Sequence, residues 1–505
     1  MNRRYFLHLS VISAGYLLAG CEDRGATDKK QSQKPPEIDS DLEKLSPQVE
    51  KLAEDFIPFS QKLKIPSEIN FPQASKPVFT AQKSEVNIFE NAKTEVLTFQ
   101  GDLPNPTIRI SKGDTFDLDL VNKLADPTII HWHGLIVPEE MDGHPKDAIE
   151  TNQIKHYHYS VNQNAGTYWY HTHPHGRTGE EIYHGLSGLY IVDNKDEESL
   201  NLPKDEFEIP LIIQDRRFDN KRQLLYKDPN FLQDHNGVMG DVIVVNSTPF
   251  PFHEVKTGKY RLRILNASSV RTYKLAFDTI EKFLLIGTDA GLLEEPIIVD
   301  SVVLSVAERV DIIVDFKDKQ VGDRVILKTL GFKEGTNMKM NANYPSFDAI
   351  MDIMQFHITE EFQDISVIPN NLAIIPRIKE SEAIQTRTIT MEIMAGGVWT
   401  LDKKPYDMHR IDQKVKLGTT EIWEIKNTVH MAHPFHIHGV LFQVLDRSGK
   451  INFPTDKGWK DTVLVMPNET VRVIMNFTVP GLFLYHCHIL EHEDHAMMAN
   501  FLVEG

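Results

Sequence analysis

The sequence predicts an all-β protein of three sandwich or barrel domains, preceded by a short helical extension. Three observations carry the prediction. From about residue 76 onward, short runs of β-type residues alternate with Gly-, Pro- and Asn-rich turns. The 505 residues correspond to three domains of roughly 150 residues, each able to bury its own core. With 41% hydrophobic and 25% charged residues, the composition is that of an ordinary globular protein.

Residues 1–21 come first. Arg3-Arg4, an apolar stretch and Leu18-Ala19-Gly20-Cys21 read as an export signal rather than a spanning helix. Asn2-Arg3-Arg4-Tyr5-Phe6-Leu7-His8 resembles a twin-arginine signal, which exports folded proteins. The Leu18–Cys21 stretch resembles a bacterial lipobox, which implies cleavage before Cys21 and a lipid on its sulfur. The protein is therefore expected in the periplasm or bacterial cell envelope, held to a membrane only through that anchor.

Residues 22–75 are expected to form a polar tether and an amphipathic helix. The tether contains Lys29-Lys30 and Pro35-Pro36. The helix opens on a capping box, Ser40-Asp41-Leu42-Glu43, and continues with Leu42, Leu45, Val49, Leu52 and Phe56 at helical spacing. Domains are then expected over 76–200, 201–360 and 361–505, the last with a linker. Runs such as Thr115–Leu120, Tyr260–Leu265, Val310–Phe316, Glu421–Ile425 and Val471–Phe477 supply the strands. The stretches 193–205, rich in acidic residues, and 359–382, irregular and Pro-containing, are the candidate boundaries.

Charge and cysteine content exclude several functions. A formal charge of −18 repels phosphate backbones, so no nucleic-acid partner is expected. No run of about 18 apolar residues follows the N-terminus, which argues against an integral membrane protein. Two cysteines, Cys21 and Cys487, allow neither a disulfide framework nor a thiolate zinc or iron–sulfur site.

The 22 histidines are the informative residues. About one His-x-His pair is expected by chance, whereas six occur, at 131/133, 156/158, 171/173, 173/175, 436/438 and 486/488. On a strand, such residues project to one face about 6.5–7 Å apart and can ligate one metal or two neighbouring ones. Imidazole suits copper, zinc, iron and nickel, so the pairs alone leave the metal open. In His486-Cys487-His488, strand parity sends the imidazoles to one face and the thiol to the other. By the same parity His433 belongs with Cys487, and His436 and His438 belong with His486 and His488. His492 and Met497 follow Cys487 closely, completing a two-His, one-Cys, weak-Met blue-copper set. His156/His158 has no similar partner pair and is set aside.

These residues resemble the motifs of the multicopper oxidases: His131-Trp132-His133-Gly134, His171-Thr172-His173, His433-Pro434-Phe435-His436-Ile437-His438-Gly439 and His486-Cys487-His488 with His492 and Met497. The resemblance spans roughly residues 76–505. It implies three cupredoxin-like domains and four copper ions, one of type 1, one of type 2 and a type-3 pair. Carried over by motif, His433, Cys487, His492 and axial Met497 would hold type 1, and His131 and His436 type 2. The type-3 pair would take His133, His171, His173, His438, His486 and His488. Substrate would be oxidised one electron at a time, each electron passing from Cys487 through His486 and His488 to a cluster where O2 becomes two waters. Asp142 and Glu493 match positions of proton-relay acids in similar bacterial oxidases.

The likeness is strongest to bacterial copper-efflux oxidases and laccase-like metallo-oxidases, and Gly458-Trp459-Lys460-Asp461-Thr462 and Gly176-Arg177-Thr178-Gly179 add to it. Met431 stands two residues before His433, where such an enzyme also has a methionine, and is a candidate substrate contact. Val429 replaces the family aspartate, and the long methionine-rich insert is absent; Met338, Met340, Met351 and Met354 are its nearest substitute. Cu(I) oxidation in copper tolerance is the expected function of this monomer, with oxidation of phenols or aromatic amines as the alternative. A non-enzymatic copper-binding periplasmic scaffold is the further alternative and predicts missing ligands or no oxygen consumption; all twelve ligand positions are filled.

Overall fold

The computed structural model describes residues 57–505 apart from 74, 227–235, 336–344, 450 and 452. The export signal, Cys21, the tether and the capping-box helix lie outside the described residues, as do Met338 and Met340. No helix among the described residues is long and apolar enough to cross a membrane.

Alternation builds the strands. Along Thr115–Asn122 the apolar Phe116, Leu118 and Leu120 are buried, while Thr115, Asp117 and Asp119 turn toward solvent. Repetition of that pattern yields three pairs of sheets, of five and four, seven and five, and five and five strands. Each pair closes over its own core. Trp132, Phe116 and Tyr190 fill the first, Leu262, Tyr273 and Phe356 the second, and Trp423, Phe477 and Phe501 the third. Burying each such side chain contributes roughly 1.5–3 kcal/mol. Between the strands ending at Asp193 and starting at Glu208, and between those ending at Glu360 and starting at Ala383, the chain carries only short helical turns and irregular backbone.

Residues 57–70, expected in the N-terminal extension, instead belong to the β body. Glu68–Asn70 pairs in parallel with Thr107–Ser111 at the edge of the first sandwich. Leu63 is buried in the second core, and its N–H donates to the Phe252 carbonyl at 2.7 Å. One short segment thus spans two sandwiches. Three strand residues carry too little pattern to be recognised without their partner.

Two sheets position the histidines. In the first sandwich Ile130–His133 pairs antiparallel with Gly166–Thr172, setting His131 opposite His171. Ile130, Trp132, Tyr168 and Tyr170 point into the core, so parity turns His131, His133 and His171 outward. In the third sandwich His433–Ile437 pairs with Gly481–Cys487, setting His436 opposite His486 and Phe435 opposite Cys487. Phe435, Ile437, Tyr485 and Cys487 face that core, and His436 and His486 turn outward. The two outward faces meet.

Candidate metal centre

All eight histidines of the 131/133, 171/173, 436/438 and 486/488 pairs are buried. The His131 ring stacks on His438 with centroids 3.7 Å apart, and His133 stacks on His436 at 3.7 Å. His131 Nε2 lies 3.4 Å from His436 Nε2, and His438 Nε2 lies 3.1 Å from His486 Nε2. His173 Nε2 is 3.5 Å from His486 Nε2. His488 sits 5.1 Å from His133 and 5.3 Å from His171, centroid to centroid.

The opposite ring nitrogens are already engaged. His131 Nδ1–H donates to the Asp142 carbonyl at 2.6 Å, and His436 Nδ1–H to the Asp461 carbonyl at 2.8 Å. His438 Nδ1–H donates to Asp142 Oδ2 at 2.8 Å. His171 and His486 reach the carbonyls of Thr172 and Cys487. A proton fixed on Nδ1 leaves the Nε2 lone pair free, which is how acceptors around a metal orient its imidazoles. Burial first, and the repulsion of neighbouring imidazoles second, holds His131, His438 and His488 well below the usual histidine range. Burial also lowers His171 to about 4 and His173 to about 3. These five histidines are therefore held as neutral nitrogen donors.

Those donors fit copper. Both nitrogens of His488 are buried with no hydrogen-bond partner, a cost of roughly 1–3 kcal/mol each that coordination removes. Converging Nε2 lone pairs likewise require a cation between them. His433, Cys487 and His492 form a second group, their ligand atoms within 4.8 Å of one another. Cys487 Sγ lies 3.9 Å from His492 Nδ1 and accepts the Ile489 N–H at 3.3 Å. Burial pushes this thiol up, so a thiolate there needs a bound cation. Met497 is buried beside them: its N–H donates to the His492 carbonyl and its own carbonyl accepts from the Cys487 N–H. The short helix Leu490–His495 carries His492.

Asp142 and Glu493 both reach the histidine cluster. Besides holding His131 and His438, Asp142 is fully buried; burial, reinforced by Glu139, raises its carboxyl well above the usual range. Glu493 lies 3.2 Å from His173 Nε2 and 3.2 Å from His486 Nδ1. Burial alone would raise Glu493, but the imidazoles of His486 and His173 bring it down to about 2.

Met431 departs from expectation. Its side chain, 1% exposed, packs in the third core, while its carbonyl accepts from His433 Nδ1–H at 2.8 Å. A sulfur packed in a core cannot meet a solvent-borne ion, so the residue orients a ligand through its backbone. Met354 is likewise in the second core, with Met351 packed against it. His175 is exposed against Tyr406. His156 and His158 lie on an exposed strand face beside Asp119 and Asp117.

The sequence left several supports unassigned. Asp461 faces His133 and His436, although it was visible within the Gly458–Thr462 likeness. Trp399, 3% exposed, stacks on His492 at 4.1 Å and lies 5.2 Å from His433; no motif marked it.

Comparison with known proteins agrees with this geometry. Three family models described as multicopper oxidase match residues 80–197, 180–345 and 380–505. A laccase of Bacillus subtilis (strain 168) is 32% identical over 468 residues, covering 80% of this chain and 89% of that one. The crystal structure of the McoA multicopper oxidase from Aquifex aeolicus is 36% identical with a TM-score of 0.80, over 88% of this chain and 99% of that one. A multicopper oxidase from Campylobacter jejuni, described as a metallo-oxidase, is 30% identical with a TM-score of 0.77, over 89% and 96%.

Proposed function

The chain belongs to the multicopper oxidase family, and from that premise we propose that it oxidises a low-valent metal ion, Cu(I) above all, in copper tolerance. Members of this family are oxidoreductases that use four copper ions, and the two histidine-containing groups fit them. His433, Cys487, His492 and Met497 would hold the type-1 ion, His131 and His436 the type-2 ion, and the remaining six histidines the type-3 pair. Bound there, copper would accept electrons singly from substrate and deliver four to O2, giving two waters. Four protons are consumed. Asp142 and Glu493, each against a cluster imidazole, are placed to pass protons inward, and Asp142 Oδ1, buried without a partner, is the atom that holds one.

One observation carries the choice of substrate. His433 and His492 are both fully buried, with Trp399 stacked on the latter. An organic ring cannot touch either imidazole edge, which favours a small donor that gives up its electron without such contact. The acidic surface also concentrates cations. The alternative, a laccase acting on phenols or aromatic amines, is supported by the identity shared with the Bacillus subtilis laccase.

O2 consumption by the copper-loaded chain, with Cu(I) and with 2,6-dimethoxyphenol, each with and without added Cu(II), separates the two. Rapid Cu(I) turnover, with phenol oxidised only when Cu(II) is present, is expected; phenol turnover independent of Cu(II), with slow Cu(I) oxidation, would establish the laccase reading instead. Trp399→Ala should raise phenol kcat/KM about tenfold by opening the edge, at a stability cost of about 3–5 kcal/mol.

The signal over residues 1–21 supports a place in the cell envelope. Cys21→Ser should move the protein from the membrane fraction to the soluble periplasmic fraction.

A further inference from the structure

None of the ligand groups among the described residues includes a residue of the second sandwich, yet one of its side chains grips the carboxylate that holds the histidine cluster. Arg309 opens the strand Arg309–Asp315 and is fully buried. Its five N–H donors are all used. Nε donates to the Thr167 carbonyl at 3.0 Å, in the first sandwich. Within the second, Nη1 reaches the Ala307 carbonyl and Nη2 the Asp289 carbonyl, each at 2.8 Å. The remaining two grip Asp461 of the third sandwich in a fork, at 2.9 Å and 2.5 Å. A planar guanidinium suits such a two-point grip, whereas a lysine ammonium supplies a point charge only.

Asp461 in turn touches both halves of the cluster. Its Oδ1 lies 3.0 Å from His133 Nε2, and its carbonyl accepts from His436 Nδ1–H. Thr462 Oγ1, which donates to Asp461 Oδ1, lies 3.2 Å from each of these histidines. His133 comes from the first sandwich and His436 from the third, and their rings stack at 3.7 Å and 15°. With its Nε2–H given to Asp461, His133 presents Nδ1, which faces His171 Nε2 at 3.4 Å. A separate observation agrees. Gly134, next to His133, has φ +85°, and a Cβ there would overlap Asp461 Oδ2 and stand 3.1 Å from Arg309 Nη2. The glycine of the first histidine motif makes room for this ion pair.

We propose that Arg309 is a positioning residue: through Asp461 it sets the orientation of His133 against His436, so that the second sandwich registers the two halves of the copper cluster. The inference rests on the ligand reading above. It assigns the middle sandwich an orienting role in the cluster, exerted through Asp461.

The test uses the copper-loaded full chain carrying Arg309→Lys, and separately Asp461→Asn, which keeps the volume. The blue absorption of the type-1 site should persist unchanged, because neither residue contacts its ligands. The type-2 electron paramagnetic resonance should change its hyperfine splitting, and the near-ultraviolet shoulder of the type-3 pair should weaken. Cluster copper should yield to a chelator about 10–100-fold more readily. Folded variants with wild-type spectra and wild-type chelator resistance would overturn the proposal. So would a lowered melting temperature with unaltered spectra of the copper that remains, the signature of a merely structural role. Should Arg309→Lys fail to fold, Asp461→Asn decides alone. A wild-type chain showing the blue band without cluster signals would refute the ligand reading itself, and this inference with it.

Discussion

At the scale of single residues, the site works by dividing labour between the two nitrogens of imidazoles such as those of His131, His436 and His438. One is tied to a protein acceptor, which leaves the other as a lone pair that can meet a metal. Asp142 performs this service twice, through its carbonyl for His131 and through Oδ2 for His438, while its second carboxyl oxygen has no partner. Asp142→Asn preserves a carbonyl-type acceptor for His438 but removes the acid. Copper content and the blue band should survive this change, while turnover falls by about 10²–10⁴-fold; steady-state O2 consumption beside copper analysis checks it. If activity is retained, Asp142 serves orientation alone. Asp142 was singled out in the sequence only through the resemblance to similar oxidases, whereas Arg309 was not, since nothing local to it signals a metal.

At the scale of elements, the expected strands and the parity of the histidine runs follow from side-chain alternation. Residues 57–70 were misassigned because so short a strand shows no alternation without its partner. The first and second sandwiches are also tied by an ion network that sequence does not reveal. Glu208, at the start of the strand Glu208–Arg216, accepts from Arg109 of the first sandwich at 2.5 Å and pairs with Arg263 at 2.9 Å. Burial would raise its carboxyl, but Arg263, Arg261 and Arg109 together bring it down to about 2. A depressed carboxylate stabilises the fold above its ordinary range, near 4.5, and the contribution disappears as pH falls toward about 2. Glu208→Gln should therefore be less stable than wild type at neutral pH by about 3–5 kcal/mol. The gap should narrow as acid is added below about pH 4. Denaturant midpoints measured across that range test the sign, and a gap that widens in acid would refute it.

At the scale of the whole molecule, the group of His433, Cys487 and His492 lies within the third sandwich, whereas the eight-histidine cluster exists only where the first and third sandwiches meet. Copper held at the cluster would therefore crosslink regions more than 250 residues apart in sequence, such as His131 and His436. Because the unfolded chain offers no such array, each ion stabilises the native state by mass action, by about 4 kcal/mol when free copper exceeds its dissociation constant a thousandfold. Chelation should lower the melting temperature. Cys487→Ser, which abolishes the blue band, should leave most of the copper-induced shift in place. Calorimetry of the apo, loaded and Cys487→Ser forms distinguishes a cluster that locks the interface from one that merely occupies it.

The sequence by itself determined the strands, the histidine pairs and the separation of Cys487 from its flanking imidazoles. Alternation along a strand is a local property, readable from a few neighbouring residues. Tertiary structure alone decided which outward faces meet, which carbonyl or carboxylate holds each Nδ1, that Trp399 covers His492, that Met431 turns inward and that Arg309 reaches across three sandwiches. Those outcomes depend on how whole sheets pack, and contacts such as Arg309 with Asp461 or His438 with Asp142 join residues that no spacing rule connects.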